Sequence, residues 1–288
     1  MKGLIVKGIA GFYYVRAKNA TYQCKARGIF KKDGVSPMVG DIVCIEILED
    51  GNAVINTIEE RKNGFTRPPV SNVDCFVIVI AAAKPEPNFK IVDRFLVMAE
   101  KNKAEAIICV NKTDLAEGAK IQEIRGIYEN IYPVVFTSAI TGDGTDELKS
   151  LMTNNKYALA GPSGAGKSTL LNALYPLADA DTGEISKKTS RGKHTTRHAE
   201  IFETGFGAML YDTPGFTSFD VIDASADELA HLYPEIESLY GTCKFRNCMH
   251  IKETGCAVLK AVEAGTIHKS RYCSYKEIYE EIINNREF

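Results

Sequence analysis

No apolar run in these 288 residues approaches the ~18 needed to cross a bilayer. The N-terminal stretch Met1-Lys2-Gly3-Leu4-Ile5-Val6-Lys7 meets a second lysine before a signal-peptide core can form. A helical membrane protein is therefore excluded, and the expected location is the cytoplasm. Charge of one sign is not in excess: 35 Lys and Arg face 37 Asp and Glu, a net −2 that conceals strong local asymmetry. Histidine is scarce at five, whereas cysteine at eight is not. In a reducing compartment such thiols argue for metal ligation or burial rather than disulfides. Hydrophobic residues make up 45% of the chain, ample for real cores, and the length fits about two domains.

What is present centres on Gly161-Pro162-Ser163-Gly164-Ala165-Gly166-Lys167-Ser168, set between the apolar run Tyr157-Ala158-Leu159-Ala160 and a helix-like stretch from Thr169 to Tyr175. Strand, glycine loop, Lys-Ser and helix is the context of a phosphate-binding P-loop. The glycines let successive N–H groups turn inward, and the helix adds its positive end. Residues 161–169 are thus the candidate phosphate cradle. Lys167 is placed to reach the β- and γ-phosphates, and the Ser168 hydroxyl to ligate Mg²⁺.

A P-loop does not name its base. Upstream, the strand-like Ala106-Ile107-Ile108-Cys109-Val110 ends in Asn111-Lys112-Thr113-Asp114. The Asp114 carboxylate suits the paired donors on the guanine edge, and a buried Asp would be left unpaired by adenine. Asn111 would brace the loop and the Lys112 stem would cover the base. A second strand, Tyr132–Phe136, ends in Thr137-Ser138-Ala139, whose backbone N–H suits guanine O6. Strand ends are where α/β sheets bind ligands, so the nucleotide read from the residues is GTP.

The order of motifs is unusual: Asn111–Asp114, then Ser138–Ala139, then Gly161–Ser168, then Asp212-Thr213-Pro214-Gly215. GTPases ordinarily place the P-loop first. The chain resembles the circularly permuted bacterial GTPases of the RsgA/YjeQ family over nearly its whole length. That resemblance implies a ribosome small-subunit-dependent GTPase. The fold expected is a multidomain α/β protein: an N-terminal OB-fold β-barrel (residues 1–65), a central circularly permuted P-loop GTPase domain (66–219) and a C-terminal helical zinc-binding domain (220–288).

The flanks carry their own signals. Residues 1–65 show five short strand patterns without a helical one, as in a small barrel. Residues 1–33 hold eight basic side chains and one acid, Asp33, while 34–60 hold six acids and no base. Phe12, Tyr13, Tyr14, Tyr22 and Phe30 are interleaved with the cations, and cations with rings are how OB-folds hold nucleic acid. Residues 63–70 read as a turn-rich linker. Beyond residue 220, Cys243-x₄-Cys248-x-His250-x₅-Cys256 offers three thiolates and an imidazole. Four soft ligands suit a closed, structural Zn²⁺ site, and the family carries this pattern. Cys273 is a spare thiol expected to pack in the last helix. Lys244, Arg246, Lys252, Lys260, Lys269 and Arg271 are taken as cations around the ligands.

The catalytic residues are the least determined. Residues 185–199 hold five cations and no acid, and include Gly192-Lys193-His194-Thr195-Thr196. Such a loop supplies a threonine to the Mg²⁺ shell when γ-phosphate is present; Thr195 and Thr196 both qualify, and the choice stays open. Asp212 is the second Mg²⁺ candidate, and the Gly215 N–H suits the γ-phosphate. Phe216 stands where Ras-like enzymes hold the glutamine that orients water. The family resemblance offers His194 as its substitute, with Lys167 completing the catalytic set. Because Gly215 is followed within a few residues by the metal-binding segment, γ-phosphate contact there is expected to pull on that segment.

The function read from all this is a GTP hydrolase that binds rRNA in late maturation of the small ribosomal subunit, stimulated by the subunit. The partners expected are that subunit and its rRNA, without membrane or DNA, and the chain is expected to act as a monomer with GTP or GDP, Mg²⁺ and one structural Zn²⁺. The runner-up is an RNA-binding checkpoint or chaperone for which GTP is only a conformational ligand. A metabolic P-loop kinase is a third reading, disfavoured by the guanine loop and the flanks.

Overall fold

The computed structural model describes residues 1–28, 30, 34–49, 52–175, 199–216 and 224–284. Five alternating segments open the chain: β1 (Lys2–Ile9), β2 (Phe12–Ala17), β3 (Ala20–Ala26), β4 (Ile42–Ile47) and β5 (Ala53–Ile58). β1 pairs antiparallel with β2 and β4, β2 with β3, and β4 with β5, while β3 and β5 run parallel. That circuit closes into the expected five-stranded barrel. Its inward side chains Ile5, Val15, Cys24, Val43 and Ile55 are fully buried. β1 and β2 approach so closely that a Cβ on Gly3 would lie 2.6 Å from Val15 Cγ1.

The expected linker is more ordered than a turn. β6 (Gly64–Thr66) and β7 (Pro69–Ser71) form a hairpin. Asp41, fully buried, accepts from Arg61 Nε and Nη2 at 2.7 Å each and from the Ser71 hydroxyl. A buried carboxylate needs such bidentate satisfaction.

β8 (Cys75–Ala81) is buried at every position, as a strand covered on both faces must be. α1 (Phe89–Lys101) starts where the Asn88 side chain accepts from the Ile91 N–H, and it buries Val92, Phe95, Leu96 and Ala99 at helical spacing. β9 (Glu105–Asn111), α2 (Gly118–Tyr128), β10 (Val134–Phe136), α3 (Thr145–Leu151), β11 (Lys156–Ala160) and α4 (Lys167–Leu174) continue the alternation. Next come β12 (Glu200–Glu203) and β13 (Met209–Phe216), paired antiparallel.

The described residues form two compact units. The first contains 1–75, 149–159 and 170–216, and in it β12 adds to the barrel through Lys7 opposite Glu200. The second contains 76–148, 160–169 and the chain from 217 onward. In it β9 lies between β8 and a parallel β10. Its C-terminal part holds α5 (Ala226–Leu229), α6 (Pro234–Glu237), α7 (Ala257–Glu263) and α8 (Lys269–Asn284). Leu229, Tyr233, Ile236, Val258, Tyr275 and Ile278 make a core there that also takes in Val97 of α1.

Two sequence expectations are corrected in this region. Cys273 lies on α8 but is exposed, because the helix turns Arg271, Tyr275 and Ile278 inward instead. Arg271 is not a surface cation: it is 1% exposed and bonded to Asp93 of α1 and, through Nε at 2.7 Å, to Glu235 of α6. Tyr128, Tyr132 and Tyr233 surround its guanidinium. Only full pairing makes burial of such a charge tolerable.

Candidate nucleotide site and metal cluster

The glycine loop sits where side chains would collide. Gly161 (φ +133°) lies so near β8 that a Cβ would fall 2.1 Å from the Val79 carbonyl oxygen. At Gly166 (φ +95°) a Cβ would fall 2.3 Å from Asn111 Nδ2. These positions accept only glycine, by backbone conformation and by space. Lys167, the first residue of α4, folds its ammonium back to the carbonyls of Gly161 (2.7 Å) and Pro162 (2.9 Å). Burial lowers its pKa from the ordinary lysine value. Ser163, Gly164, Ser168 and Thr169 are exposed along the mouth of the loop, while Ala165 is buried beneath it.

Asn111 joins three loops. Its Nδ2 donates to the Ala165 carbonyl at 3.0 Å, and its Oδ1 accepts from the Ala139 N–H at 3.0 Å and from the Thr137 hydroxyl at 3.3 Å. The Thr113 N–H and hydroxyl both donate to the Thr137 carbonyl at 3.1 Å. Asn111–Asp114, Thr137–Ala139 and the P-loop are therefore one hydrogen-bonded constellation at the ends of adjacent strands. Asp114 is exposed rather than buried, in a 3₁₀ turn spanning Thr113–Leu115. The two N–H groups of the Ser138–Ala139 pair already donate, Ser138 to the Asp143 carbonyl and Ala139 to Asn111.

One partner was invisible to sequence reasoning. The Lys112 ammonium donates to the carbonyl of Lys84 at 2.7 Å, in the segment after β8, and Pro85 lies against the position a Gly164 Cβ would take, at 3.5 Å. A backbone acceptor leaves no side-chain signature, so only the path of the chain discloses it. Lys112 itself adopts φ +64°, which aims its side chain across the P-loop, with Cε 3.8 Å from the Gly166 Cβ position.

β13, beside β11 in the sheet, carries two of the remaining predicted groups. Asp212 and Gly215 belong to β13 in the first unit, where Asp212 is in register with Glu200. Phe216 is fully buried and meets Phe65 edge-on at 5.3 Å, so its ring is a packing group. His194, Thr195 and Thr196 lie outside the described residues, as do Lys31 and Lys32. On the barrel, Lys2, Lys7, Arg16 and Arg27 are ion-paired with Glu59, Glu200, Glu203 and Glu46, and Lys25 lies over the Phe12 ring. The basic strip is thus partly neutralised by the acids of the following strands.

Cys243, Cys248, His250 and Cys256 converge, with ligand atoms all within 4.8 Å of one another. Cys243 Sγ is 3.9 Å from Cys256 Sγ and 3.6 Å from His250 Nδ1, which is 3.4 Å from Cys256 Sγ. A tetrahedral zinc with ordinary bond lengths sets such separations at about 3.8 Å for S···S and about 3.6 Å for S···N. The donor set and spacing both fit that ion. Ala257 and Leu259 N–H groups donate to the Cys243 and Cys256 sulfurs at 3.3 and 3.5 Å, which favours thiolates. Burial, reinforced by the neighbouring thiols, pushes Cys248 up to about 12, a cost that a bound dication reverses. Glu253 fixes the turn between ligands by accepting from the Met249, Ile251 and Lys252 N–H groups at 2.8–2.9 Å.

A glycine loop of the P-loop pattern, clamped to an Asn-Lys-Thr-Asp loop that precedes it in the chain, is the arrangement of a circularly permuted nucleotide-binding protein. Comparison with known proteins narrows that class. Residues 58–222 match the RsgA GTPase family and residues 2–55 the RsgA N-terminal domain. The small ribosomal subunit biogenesis GTPase RsgA of Agathobacter rectalis is 44% identical over 302 residues, covering all of both chains. That of Clostridium perfringens is 44% identical over 287 residues and 99% of each. Among solved structures, YjeQ from Thermotoga maritima aligns with TM-score 0.84 and 36% identity over 98% of each chain. YloQ, described as a circularly permuted GTPase, aligns equally well over 99% of this chain and 95% of its own. The chain belongs to the RsgA GTPase family, and it is a GTPase.

Proposed function

We propose that this GTPase acts in late maturation of the small ribosomal subunit, binding its rRNA and hydrolysing GTP when the particle stimulates it. The observation that carries the reading is the Asn111 clamp, which joins a guanine-type loop to a P-loop in permuted order. The relatives' names supply the particle. In this reading residues 1–65 are an RNA-binding barrel, 66–219 the GTPase domain and 220–288 a zinc-binding domain. Asp114 takes the guanine edge, with Asn111, Lys112, Ser138 and Ala139 shaping the base pocket. Residues 161–169 cradle the phosphates, and Lys167 leaves its loop carbonyls for the β- and γ-phosphates. Ser168 and Asp212 hold Mg²⁺ with Thr195 or Thr196, and the Gly215 N–H meets the γ-phosphate. Bound Mg²⁺ neutralises charge developing on the phosphates. His194 positions the attacking water, since Phe216 cannot. Cys243, Cys248, His250 and Cys256 hold one structural Zn²⁺. The protein works as a cytoplasmic monomer, without DNA or membrane.

A second reading, an RNA-binding checkpoint with incidental turnover, draws support from the burial of Phe216 at the water-orienting position. Turnover of GTP with and without purified small subunits separates the two. Stimulation of roughly 10³- to 10⁵-fold, the scale on which a group supplied in trans acts in other GTPases, is expected, and His194→Ala should lose most of it while still binding GTP. Turnover indifferent to the subunit would refute the first reading.

A further inference from the structure

The segment between the first two metal ligands presents something that the nucleotide site does not use. Between Cys243 and Cys248, the residues Lys244, Phe245, Arg246 and Asn247 are all exposed. Phe245 exposes 50% of its surface, which is unusual for a phenylalanine beside a formed core. The tip is nevertheless held in place. Both flanking cysteines belong to the ligand cluster, Lys244 N–H donates to the Gly255 carbonyl at 3.2 Å, and the Lys244 side chain rests on the Gly255 Cα at 3.1 Å from its Cβ position. The Lys244 ammonium lies 5.4 Å from the Phe245 ring centroid. One approach carries a second exposed ring, Tyr240 at 69%, tilted against His231.

We propose that this metal-held tip is a stacking site for an unpaired RNA base, with Phe245 as the platform and Lys244 and Arg246 as its phosphate contacts. The proposal deepens the rRNA-binding reading and rests on it. A base needs a flat apolar face with cations beside it. A cation against a ring also strengthens that ring as a platform by polarising it. The chemistry favours RNA over a protein partner because Lys244, Arg246 and Lys252 all reach solvent here. The nearby acid Glu253 turns its carboxylate to three backbone N–H groups instead. A tip fixed by the ligand cluster gives up little conformational freedom on binding, which favours affinity.

The test uses the full-length, zinc-loaded protein and a fluorescein-labelled single-stranded 12-residue oligouridine, read by anisotropy. Base stacking of this kind is worth about 5- to 150-fold in affinity per base, so Phe245→Ala should weaken binding on that scale. Phe245→Trp should preserve it and Phe245→Leu should not, since leucine has no π-face. Lys244→Ala and Arg246→Ala should each flatten the salt dependence by about 0.7 per phosphate contact. Zinc content and GDP affinity, unchanged in each variant, report that the fold persists. Should Phe245→Ala lose zinc, photocrosslinking of wild type to 4-thiouridine RNA decides, with adducts expected within residues 240–246. Adducts mapping elsewhere, or equal binding by Phe245→Ala and wild type, overturn the proposal. So does a defect seen only with whole subunits and rescued by leucine, which marks a protein contact. Wild type that binds no RNA and ignores subunits defeats the rRNA reading itself, a distinct result.

Discussion

Arg271→Met tests the buried ion network in which the C-terminal helices meet α1. Arg271 is 1% exposed and Asp93 fully buried. Removing the arginine leaves Asp93 charged, dry and without its strongest partner. Breaking a buried pair from one side costs about 3–5 kcal/mol, a large share of the ~5–15 kcal/mol that stabilises a domain. Native-state hydrogen exchange reads this locally. Protected amides of α8 and of the facing side of α1 should exchange about 150- to 5,000-fold faster. Adding Asp93→Leu removes the stranded charge, so the double variant should recover most of the loss, with Glu235 still able to reach water at the edge. The sign with pH follows from Asp93, whose carboxyl burial raises above its ordinary value while Arg271 holds it down. Without Arg271 it rises further. Stability tied to a raised carboxyl is present below the unfolded pKa and lost as pH climbs through the folded one. The deficit of Arg271→Met should therefore shrink as the pH is lowered and the Asp93 carboxyl takes up its proton. Exchange within threefold of wild type, or a double variant no better than the single, would refute the reasoning.

Other expectations follow from the site. Asp114→Asn should lose GTP and gain xanthosine triphosphate, whose edge offers the complementary pattern; competition with a fluorescent GDP checks it, and unchanged GTP affinity would remove Asp114 from the base site. Gly166→Ala should abolish nucleotide binding by calorimetry, because its Cβ meets Asn111 Nδ2 at 2.3 Å at a φ of +95°; retained binding would mean that the clamp yields. Elemental analysis should find about one zinc per chain and markedly less in Cys248→Ala, with GDP still bound; a metal-free native protein contradicts the cluster's assignment.

Local chemistry made much of this architecture legible. Short strand patterns broken by turns in residues 1–65 announced five barrel strands, though the third ends at Ala26 rather than running on to Phe30. The continuous run at Cys75–Ala81 announced a strand buried on both sides, and its burial is complete. What escaped was whatever depends on which element packs against which. Arg271 sits in the sequence as one cation among several, and nothing nearby in the chain marks Asp93, 178 residues away, as its partner. The Lys84 carbonyl that holds Lys112 belongs to the same category. So does the engagement of the Ala139 N–H by Asn111, since a donor's occupancy is set by a loop two strands away. The spacing of Cys243, Cys248, His250 and Cys256 was readable because ligands close in sequence must be close in space.

The division of residues between the two units bears on how the proposed site would be linked to the rest of the chain. The short chain distance from Gly215 to the metal-binding segment invites a direct pull, but that connection, residues 217–223, lies outside the described residues. The described contacts tie the C-terminal helices to α1 and, through it, to the segment that holds Lys112. Lys112 is held by the segment that leads into α1. Along α1, Lys90 and Arg94 pair with Glu281, Asp93 with Arg271 and Lys101 with Glu228. All belong to the second unit. A base contact does not change when GTP becomes GDP. Asp212 and Gly215, on which the γ-phosphate acts in the proposed mechanism, belong to the first unit with the barrel. Within the first unit, β12 pairs with β13 and with β1, so the strand that carries Asp212 and Gly215 is tied to the barrel on one side and to β11, which leads into the glycine loop, on the other.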